Sequence, residues 1–263
     1  MSNRVSFLNA FYGMIDEDSR LLCSRQGQLE YAVTMHYIHR FAGAPCRVLE
    51  LGAGTGRYSA ALAREGMDVT ALELADANFA VLREKAREIP NLRAVQGDAT
   101  DLHAFADASF DVTLSFGPLY HLYEPDEVQR AIDEAIRVTR PGGYLFCAFL
   151  SVYGIMLSNY LCGGWQRGVR ENFAEDGRVL HFEEQRFTGY DIAEFEGLFA
   201  GKGVRHIVTA GVDWSLEVAE PRADFALSDA DFESLVRWYL TVCEKRELLG
   251  NTNHLLYIAQ KTK

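Results

Sequence analysis

The chain has 263 residues, of which 48% are apolar and 24% charged, and its formal net charge is -11. This length and apolar content predict one globular domain with additions, and the negative charge disfavours DNA as a partner, because nucleic-acid affinity depends on basic groups that neutralise phosphates. No apolar run reaches the ~20 residues of a membrane span and residues 1–10 do not resemble a secretory signal, so we expect a cytoplasmic protein that does not associate with membranes.

Two amphipathic helices are predicted before the first strand. Apolar side chains recur at helical spacing from Phe7 to Ile15 and again from Leu29 to Tyr37. A minimal alternation of strands and helices does not need them, so we expect residues 1–44 to form a helical cap. Two positions remain open for this cap. It lies either across the carboxyl edge of the sheet, where ligands bind in open α/β folds, or along an edge remote from any ligand.

The stretch from Val48 to Ser59 reads VLELGAGTGRYS and predicts a buried strand, a tight turn and a helix start. Glycine tolerates the dihedral angles of such a turn and lets a ligand approach the backbone, while the free amides of the first helical turn attract polar groups. A dinucleotide-binding turn would carry a third glycine where Arg57 stands. The pattern here is E-x-G-x-G-x-G, which begins at Glu50.

Strands and helices then alternate regularly. We expect Asp76 to cap the helix after the second strand, and the helix that starts after Pro125 to stop at Arg140-Pro141-Gly142-Gly143. This alternation predicts a doubly wound sheet of about seven mostly parallel strands with right-handed crossovers. The second to fifth strands are predicted at residues 68–74, 92–96, 110–115 and 144–150.

The remaining segments predict a single domain with two insertions. A core of residues 45–150 is followed by residues 151–190, where the pattern predicts a helix and an irregular excursion that ends in a β-like run at 178–182. A helix at 192–199 and a sixth strand at 204–212 come next. Residues 213–250, with an apolar helix from Phe232 to Cys243, form the second insertion, and residues 251–263 hold the last strand at 254–260. Both insertions are apolar enough to pack, so we expect them to act as lids.

Four stretches match, in order, the motifs of class I S-adenosylmethionine (SAM)-dependent methyltransferases, and the chain resembles this family over residues 48–150. They are the glycine turn, Glu73 at the end of the second strand, Gly97-Asp98-Ala99 after the third, and RVTRPGGYL at residues 137–145. The layout is similar to that of bacterial small-molecule methyltransferases. The resemblance implies a Rossmann-like fold, SAM as cofactor and S-adenosylhomocysteine (SAH) as product.

The resemblance also implies a role for individual residues. It assigns Gly52, Ala53, Gly54, Thr55 and Gly56 to the methionine part of the cofactor, Glu73 to the ribose, Asp98 and Ala99 to the adenine, and Ser115 to the surroundings of the sulfonium. Leu74, next to Glu73, is also expected to contact the cofactor. Glu50 is expected to orient the turn or to meet the cofactor's amino group. The five cysteines are dispersed without a C-x-x-C pair, and we expect no metal.

Tyr120 and His121 follow the fourth strand, where an acceptor would approach. Methyl transfer is an in-line displacement at a carbon that the positive sulfur has already activated, so alignment supplies much of the rate and a base is needed only for a protonated acceptor. His121 is the candidate base because imidazole titrates near neutral pH, and Tyr120 is the candidate for orienting the acceptor. A second interpretation, in which both line the pocket or cap the helix, stays open.

The acceptor is predicted to be a small, partly apolar molecule methylated on oxygen or nitrogen. Members of the family that modify bases or glutamine carry Asn/Asp-Pro-Pro-aromatic after the fourth strand, whereas this chain has Ser115-Phe116-Gly117-Pro118. Three alternatives remain: a methyltransferase that modifies tRNA or protein, a SAM-binding regulatory protein without turnover, and a nicotinamide-dependent oxidoreductase that uses Glu73 on a ribose. The sequence does not decide between a monomer and a homodimer as the oligomeric state.

Overall fold

The computed structural model describes residues 3–182, 185 and 187–263, and a single sheet runs through its centre. Over these residues the sheet has eight strands in the order β3-β2-β1-β4-β5-β8-β7, with the short β6 beside β5. Strands β1 to β5 pair in parallel, whereas β8 is antiparallel to both of its neighbours. The predicted doubly wound, mostly parallel sheet is confirmed. The strands are β1 Arg47–Leu51, β2 Asp68–Glu73, β3 Leu92–Gln96, β4 Phe110–Ser115, β5 Thr139–Ser151, β6 Gly189–Tyr190, β7 Val204–Gly211 and β8 His254–Lys261.

Helices cover both faces of the sheet. On one face α2, α3 and α10 contribute Leu29, Leu62 and Tyr239 to one apolar core, and on the other α5 and α8 contribute Ile132 and Phe195 to a second. The central strands are therefore buried on both sides, as parallel strands require. The helices are α1 Asn3–Tyr12, α2 Arg25–Phe41, α3 Arg57–Arg64, α4 Asp76–Glu88, α5 Pro125–Val138, α6 Val152–Ile155, α7 Trp165–Asn172, α8 Ile192–Gly197, α9 Leu216–Ala219, α10 Asp229–Tyr239 and α11 Arg246–Leu249, with a 3₁₀ turn at Pro118–Tyr120 and a π-helical turn at Met156–Tyr160.

The two helices of the N-terminal cap take different positions. The Ser24 side chain accepts a hydrogen bond from the Gly27 amide and so starts α2, which packs its apolar face on the sheet. Helix α1 instead crosses the carboxyl edge of the sheet. There Asn9 Nδ2 donates to Asp76 Oδ2 at 2.9 Å, and Asn9 Oδ1 accepts the Asp76 amide at the same distance. Of the two positions left open for the cap, α1 therefore takes the one above the strand ends.

Asp76 does not cap α4 as predicted. The N-cap is Ala75, without a side-chain hydrogen bond, and Asp76 is the first helical residue. Its carboxylate accepts hydrogen bonds from Asn9 and Gln96 instead. The start of α4 is thus held by a contact with α1, because Asn9 competes for the group that would otherwise serve the helix.

Two boundaries after β4 also differ from the prediction. Helix α5 ends at Val138 and β5 begins at once, so Pro141 and Gly142 lie inside a strand. An irregularity in the pairing of β4 with β5 and a positive φ of 75° at Gly142 accommodate them. Between 178 and 182 the structure has a single bridge, Phe173 to Val179, in place of the predicted β-like run.

Helices α9 and α11 were not predicted, because four residues are too few to show an apolar period. In the described part of the chain, no helix combines the length and the apolar character that a membrane span requires.

Candidate cofactor and acceptor site

A narrow cavity of about 70 Å³ lies where β1 to β4 end. It is walled from below by the loops that follow these strands and from above by α1 and the segment after it. Eight of the residues predicted as site residues line it: Gly52, Gly54, Glu73, Leu74, Asp98, Ala99, Tyr120 and His121.

The glycine turn is shaped by both dihedral angles and contacts. Gly52 and Gly54 have φ values of 67° and 57°, a region that favours glycine. A Cβ atom at Gly52 would lie 2.6 Å from Cδ of Pro118, in the loop after β4. At Gly54 a Cβ would have room, which leaves the backbone there open to the cavity.

Glu73 sits at the end of β2 with its carboxylate between two backbone amides. Oε2 accepts a hydrogen bond from the Gly54 amide and Oε1 one from the Ala75 amide, each at 2.7 Å. Burial raises the pKa of Glu73 to about 7, although these amides favour the ionised form. The carboxylate faces the cavity with capacity for further donors.

Glu50 is 1% exposed and lies behind the turn rather than in the cavity. It accepts a hydrogen bond from the Ser59 hydroxyl in the first turn of α3. Burial raises the pKa of Glu50 to about 8, and the nearby charge of Glu73 adds to the effect. Of the two roles expected for Glu50, this geometry supports orienting the turn and α3.

Four other predicted residues do not line the cavity. The Ala53 amide donates to the Leu72 carbonyl at 3.0 Å, which ties the turn to β2. Thr55 Oγ1 donates to Asp18 Oδ1 at 2.7 Å, beneath the N-terminal segment, and Gly56 begins α3. Ser115 is 4% exposed and pairs within the sheet. Ala53 and Gly56 therefore fasten the turn to β2 and α3, Thr55 joins it to the N-terminal segment, and Ser115 belongs to the sheet.

The N-terminal segment supplies site residues that the sequence did not reveal. Arg4 Nη2 lies 2.6 Å from Asp98 Oδ2, while Asp98 Oδ1 accepts from the amide and hydroxyl of Thr100. Further lining residues from this segment are Leu8, Tyr12, Glu17 and Arg20. An amphipathic pattern does not indicate which edge of a sheet the helix will cross. The sequence therefore predicted a helical cap but not that its residues line the cavity.

The two candidate catalytic residues lie together beneath α1. His121 is 5% exposed, and its Nε2 is 2.9 Å from the Tyr12 hydroxyl. The Tyr120 hydroxyl donates to the Phe116 carbonyl at 3.0 Å, and burial raises the pKa of Tyr120 above its usual value. The hydroxyl of Tyr120 is therefore engaged by its own loop, whereas Tyr12 connects His121 to α1.

A second cavity of about 790 Å³ adjoins the first. Four residues line both cavities and mark their junction: Tyr12, Glu17, Arg20 and Tyr120. One wall of the large cavity comes from residues 151–190 and carries aromatic side chains, including Phe182 and Phe187. Another part of the lining is polar and consists of Arg20, Glu217, Asn253 and His254. Glu30 and Asp213 lie behind it as partners of Arg20 and His254, and we term these six residues the inner polar end.

Ion pairs organise the inner polar end. Arg20 donates to both carboxylate oxygens of Glu30, at 2.8 and 3.1 Å, and its Nε lies 2.7 Å from Glu17. His254 Nδ1 is 2.7 Å from Oδ2 of the fully buried Asp213. Burial alone would lower the pKa of His254, but Glu30 and Asp213 outweigh it and raise that pKa to about 9.

Comparison with known families matches residues 49–147 to the methyltransferase domain family. The chain is 42% identical over 125 residues to a demethylmenaquinone methyltransferase of Beutenbergia cavernae, and this alignment covers 44% of the chain and 49% of that protein. It is 33% identical over 174 residues to a demethylmenaquinone methyltransferase of Mycolicibacterium paratuberculosis, and this alignment covers 64% of the chain and 69% of that protein. The chain thus spans about half the length of the first of these curated relatives and more than two thirds of the second.

A solved structure shows the same fold over nearly the whole chain. The 1,6-didemethyltoxoflavin-N1-methyltransferase of Burkholderia thailandensis, determined with 1,6-didemethyltoxoflavin and S-adenosylhomocysteine, superposes with a TM-score of 0.60 at 17% identity. The superposition covers 98% of this chain and 88% of that one. At this level of identity the likeness concerns the fold alone.

Proposed function

The chain belongs to the class I SAM-dependent methyltransferases, and from this premise we propose that it transfers a methyl group from SAM to an oxygen or nitrogen atom of a small molecule. The observation that carries the proposal is the pair of adjoining cavities. The narrow one lies on the glycine turn and the ends of β1 to β3, and the larger one opens from it.

We assign the narrow cavity to SAM. Its methionine part would rest on the backbone of Gly52 and Gly54, where the turn is open. The ribose hydroxyls would donate to Glu73, and Asp98 beside Ala99 would receive the adenine amino group. Glu50 holds the turn from behind and Thr55 joins it to Asp18 of the N-terminal segment, so neither would contact the cofactor.

Helix α1 has to withdraw before SAM can enter. About 70 Å³ is far below the ~300–1,000 Å³ of typical ligand pockets, and Arg4 already occupies Asp98. The polar contacts of α1 are partly exposed, so they exchange readily for contacts with a ligand, whereas Leu8 is buried and Phe11 packs edge-on against Phe187. The cap thereby encloses the cofactor after binding and excludes water from the reaction.

The methyl group would cross at the junction of the two cavities. Tyr12 lines both cavities and is hydrogen-bonded to His121, which lines the narrow one. We place the acceptor atom against Tyr12, with His121 receiving its proton directly or through the Tyr12 hydroxyl. Burial raises the pKa of Tyr12 well above its usual value, so this hydroxyl stays neutral and serves as a hydrogen-bonding relay.

The large cavity favours a small molecule over a tRNA or protein acceptor. Its volume of about 790 Å³ lies within the usual range for small-molecule pockets. The net charge of -11 also opposes binding of a polyanion. The relatives' names refer to demethylmenaquinone, and the aromatic wall with Phe182 and Phe187 makes a quinone ring the second candidate acceptor.

Thermal unfolding with SAH, and separately with NAD, tests the cofactor assignment. At a hundred times its Kd a ligand stabilises the folded state by about 2.7 kcal/mol, which corresponds to roughly 5–10 °C in Tm for a chain of this size. We expect this shift with SAH and none with NAD. No shift with SAH contradicts the proposal, and binding of SAH without methyl transfer to any acceptor in a broad panel supports the regulatory alternative.

A further inference from the structure

An ion pair from the N-terminal segment lies in the narrow cavity beside the glycine turn. Glu17 and Arg20 both line this cavity, and Arg20 Nε donates to Glu17 Oε1 at 2.7 Å. Glu17 also packs on the turn, since a Cβ atom at Gly54 would lie 3.6 Å from its Cγ atom. The pair therefore occupies the space above the turn, where the methionine part of SAM is placed in the proposed site.

Arg20 is held by α2, independently of α1. Its Nη1 and Nη2 donate to the two carboxylate oxygens of Glu30, at 2.8 and 3.1 Å, and Glu30 is 7% exposed. The backbone of Arg20 packs so closely on the same helix that a Cβ atom at Gly27 would lie 2.3 Å from its carbonyl oxygen. In the proposed site, Arg20 would therefore keep its position at the cavity when α1 withdraws.

Glu17 is held less firmly than Arg20. Among the residues that the structure describes, its carboxylate accepts one hydrogen bond, the one from Arg20, and Oε2 accepts none. Its charge adds to the raised pKa of Glu73, so the two carboxylates lie close enough to repel each other. The adjacent Asp18 is tied to the glycine turn and to α4 by two side-chain hydrogen bonds, which hold the backbone. The side chain of Glu17 can thus turn away from Arg20 while the backbone stays in place.

The glycine turn does not itself supply a partner for a carboxylate. The amides of Ala53, Gly54 and Gly56 already donate to acceptors within the protein. Among the described residues, two side chains with a permanent positive charge line the cavity, those of Arg4 and Arg20. Arg4 pairs with the acid that is assigned to the adenine. Arg20 is therefore the cation at the methionine end.

We propose that Arg20 binds the carboxylate of the methionine part of SAM, and that Glu17 occupies this position while the cofactor is absent. The two carboxylates offer the same pair of acceptor oxygens, and one edge of a guanidinium binds such a group through two parallel hydrogen bonds. Exchange of one carboxylate for the other leaves the pairing of Arg20 with Glu30 intact. The proposal rests on the proposed function, since it takes the narrow cavity as the SAM site.

The N-terminal segment then matches the cofactor at both ends. At the adenine end Arg4 donates to Asp98, as the adenine amino group would. At the methionine end Glu17 accepts from Arg20, as the carboxylate of SAM would. The side chains of Arg20 and Glu17 are 35% and 18% exposed, and an ion pair in contact with water contributes little stability. Cofactor binding therefore exchanges two weak contacts of the segment for two contacts of its own.

SAH and S-adenosyl-3-thiopropylamine are matched probes, because the second compound lacks only the carboxylate. We expect isothermal titration calorimetry of the unmodified protein at neutral pH to show roughly ten- to a hundred-and-fifty-fold tighter binding of SAH, the usual contribution of hydrogen bonds to a charged group. In Arg20→Met the affinity for SAH should fall to that for the amine, while the affinity for the amine should not fall. Arg237→Met on α10 removes the same charge from an exposed position, 70% accessible, and should leave both affinities unchanged.

Glu17→Gln tests the exchange and leaves the pairing of Arg20 with Glu30 intact. Without the competing carboxylate, SAH binding should tighten by about 1.4- to 5-fold, the range expected for a partly exposed ion pair, with no such gain for the amine. Glu233→Gln on α10 removes the same charge from an exposed position, 72% accessible, and should leave both affinities unchanged. The Tm of each variant shows whether it is folded.

The outcomes separate this inference from the proposed function. Failure of the unmodified protein to bind SAH overturns the proposed function itself. Equal affinity for SAH and the amine overturns the carboxylate site, and so does a preference for SAH that persists in folded Arg20→Met. Unchanged or weaker SAH binding in Glu17→Gln overturns the exchange. If Arg20→Met does not fold, the preference of the unmodified protein and the result for Glu17→Gln decide.

Discussion

The two ends of the proposed site are built in different ways. The cofactor end consists of short loops after successive strands, and its acids Glu50 and Glu73 are held by a hydroxyl and by backbone amides. The acceptor end joins segments far apart in the chain, and its acids are held mainly by charged partners such as Arg20 and His254. The proposed cofactor end therefore depends on local backbone geometry, whereas the proposed acceptor end depends on the balance of its charges.

Replacing Glu50 tests the electrostatics of the cofactor end and carries the largest expected effect. Since the pKa of Glu50 is raised to about 8, the folded state binds its proton more tightly than the unfolded chain. The associated stability is present below the usual pKa and is lost as the pH rises through 8. Glu50→Gln does not titrate, so its stability relative to the unmodified protein should rise between pH 5 and pH 8, by at most about 4 kcal/mol.

Urea denaturation of both proteins at several pH values measures this difference. Comparing the two proteins at each pH cancels the contribution of titrating groups that do not interact with Glu50, such as His254. A pH-independent difference would mean that Glu50 ionises in the folded state as freely as in the unfolded one, and the contrast between the two ends would be lost.

Glu73→Ala tests whether the cofactor end binds through a carboxylate. Loss of hydrogen bonds to a charged group costs ~1.5–3 kcal/mol, so SAH affinity should fall roughly ten- to a hundred-and-fifty-fold. Isothermal titration calorimetry provides the measurement, and Glu88→Ala, an exposed position on α4, serves as the matched control. Unchanged SAH affinity in Glu73→Ala would remove this residue from the site.

Arg4→Ala gives the smallest effect and has the opposite sign. Arg4 pairs with Asp98 in the absence of cofactor, so it competes with the adenine for that carboxylate. A partly exposed ion pair contributes ~0.2–1 kcal/mol, and its removal should tighten SAH binding by about 1.4- to 5-fold. Weaker binding in this variant would show instead that Arg4 contacts the cofactor.

The strands and the glycine turn were predictable because local signals specify them. The bounds of β3 and β4 agree with the prediction, since apolar runs between turn residues leave little choice. The positions of Gly52, Glu73 and Asp98 at neighbouring strand ends follow from the topology of a parallel sheet. At Asp76 the local rule failed because a residue 67 positions away, Asn9, competes for the same side chain.

The acceptor end was not predictable because its residues also come from distant parts of the chain. Arg20, Glu30 and His254 come from the N-terminal segment, α2 and the last strand, and no spacing in the sequence brings them together. Spacing along the sequence does not reveal the pairing of Asp213 with His254 either, because it spans 41 positions. Packing of β8 between β5 and β7 creates this proximity.

The close approach of Gly52 to Pro118 connects the glycine turn with the loop after β4. Because no side chain fits between them, the glycine turn and the loop that carries Tyr120 and His121 pack directly against each other. In the proposed site, a shift of the turn on cofactor binding would therefore reach Tyr120 and His121 through this contact.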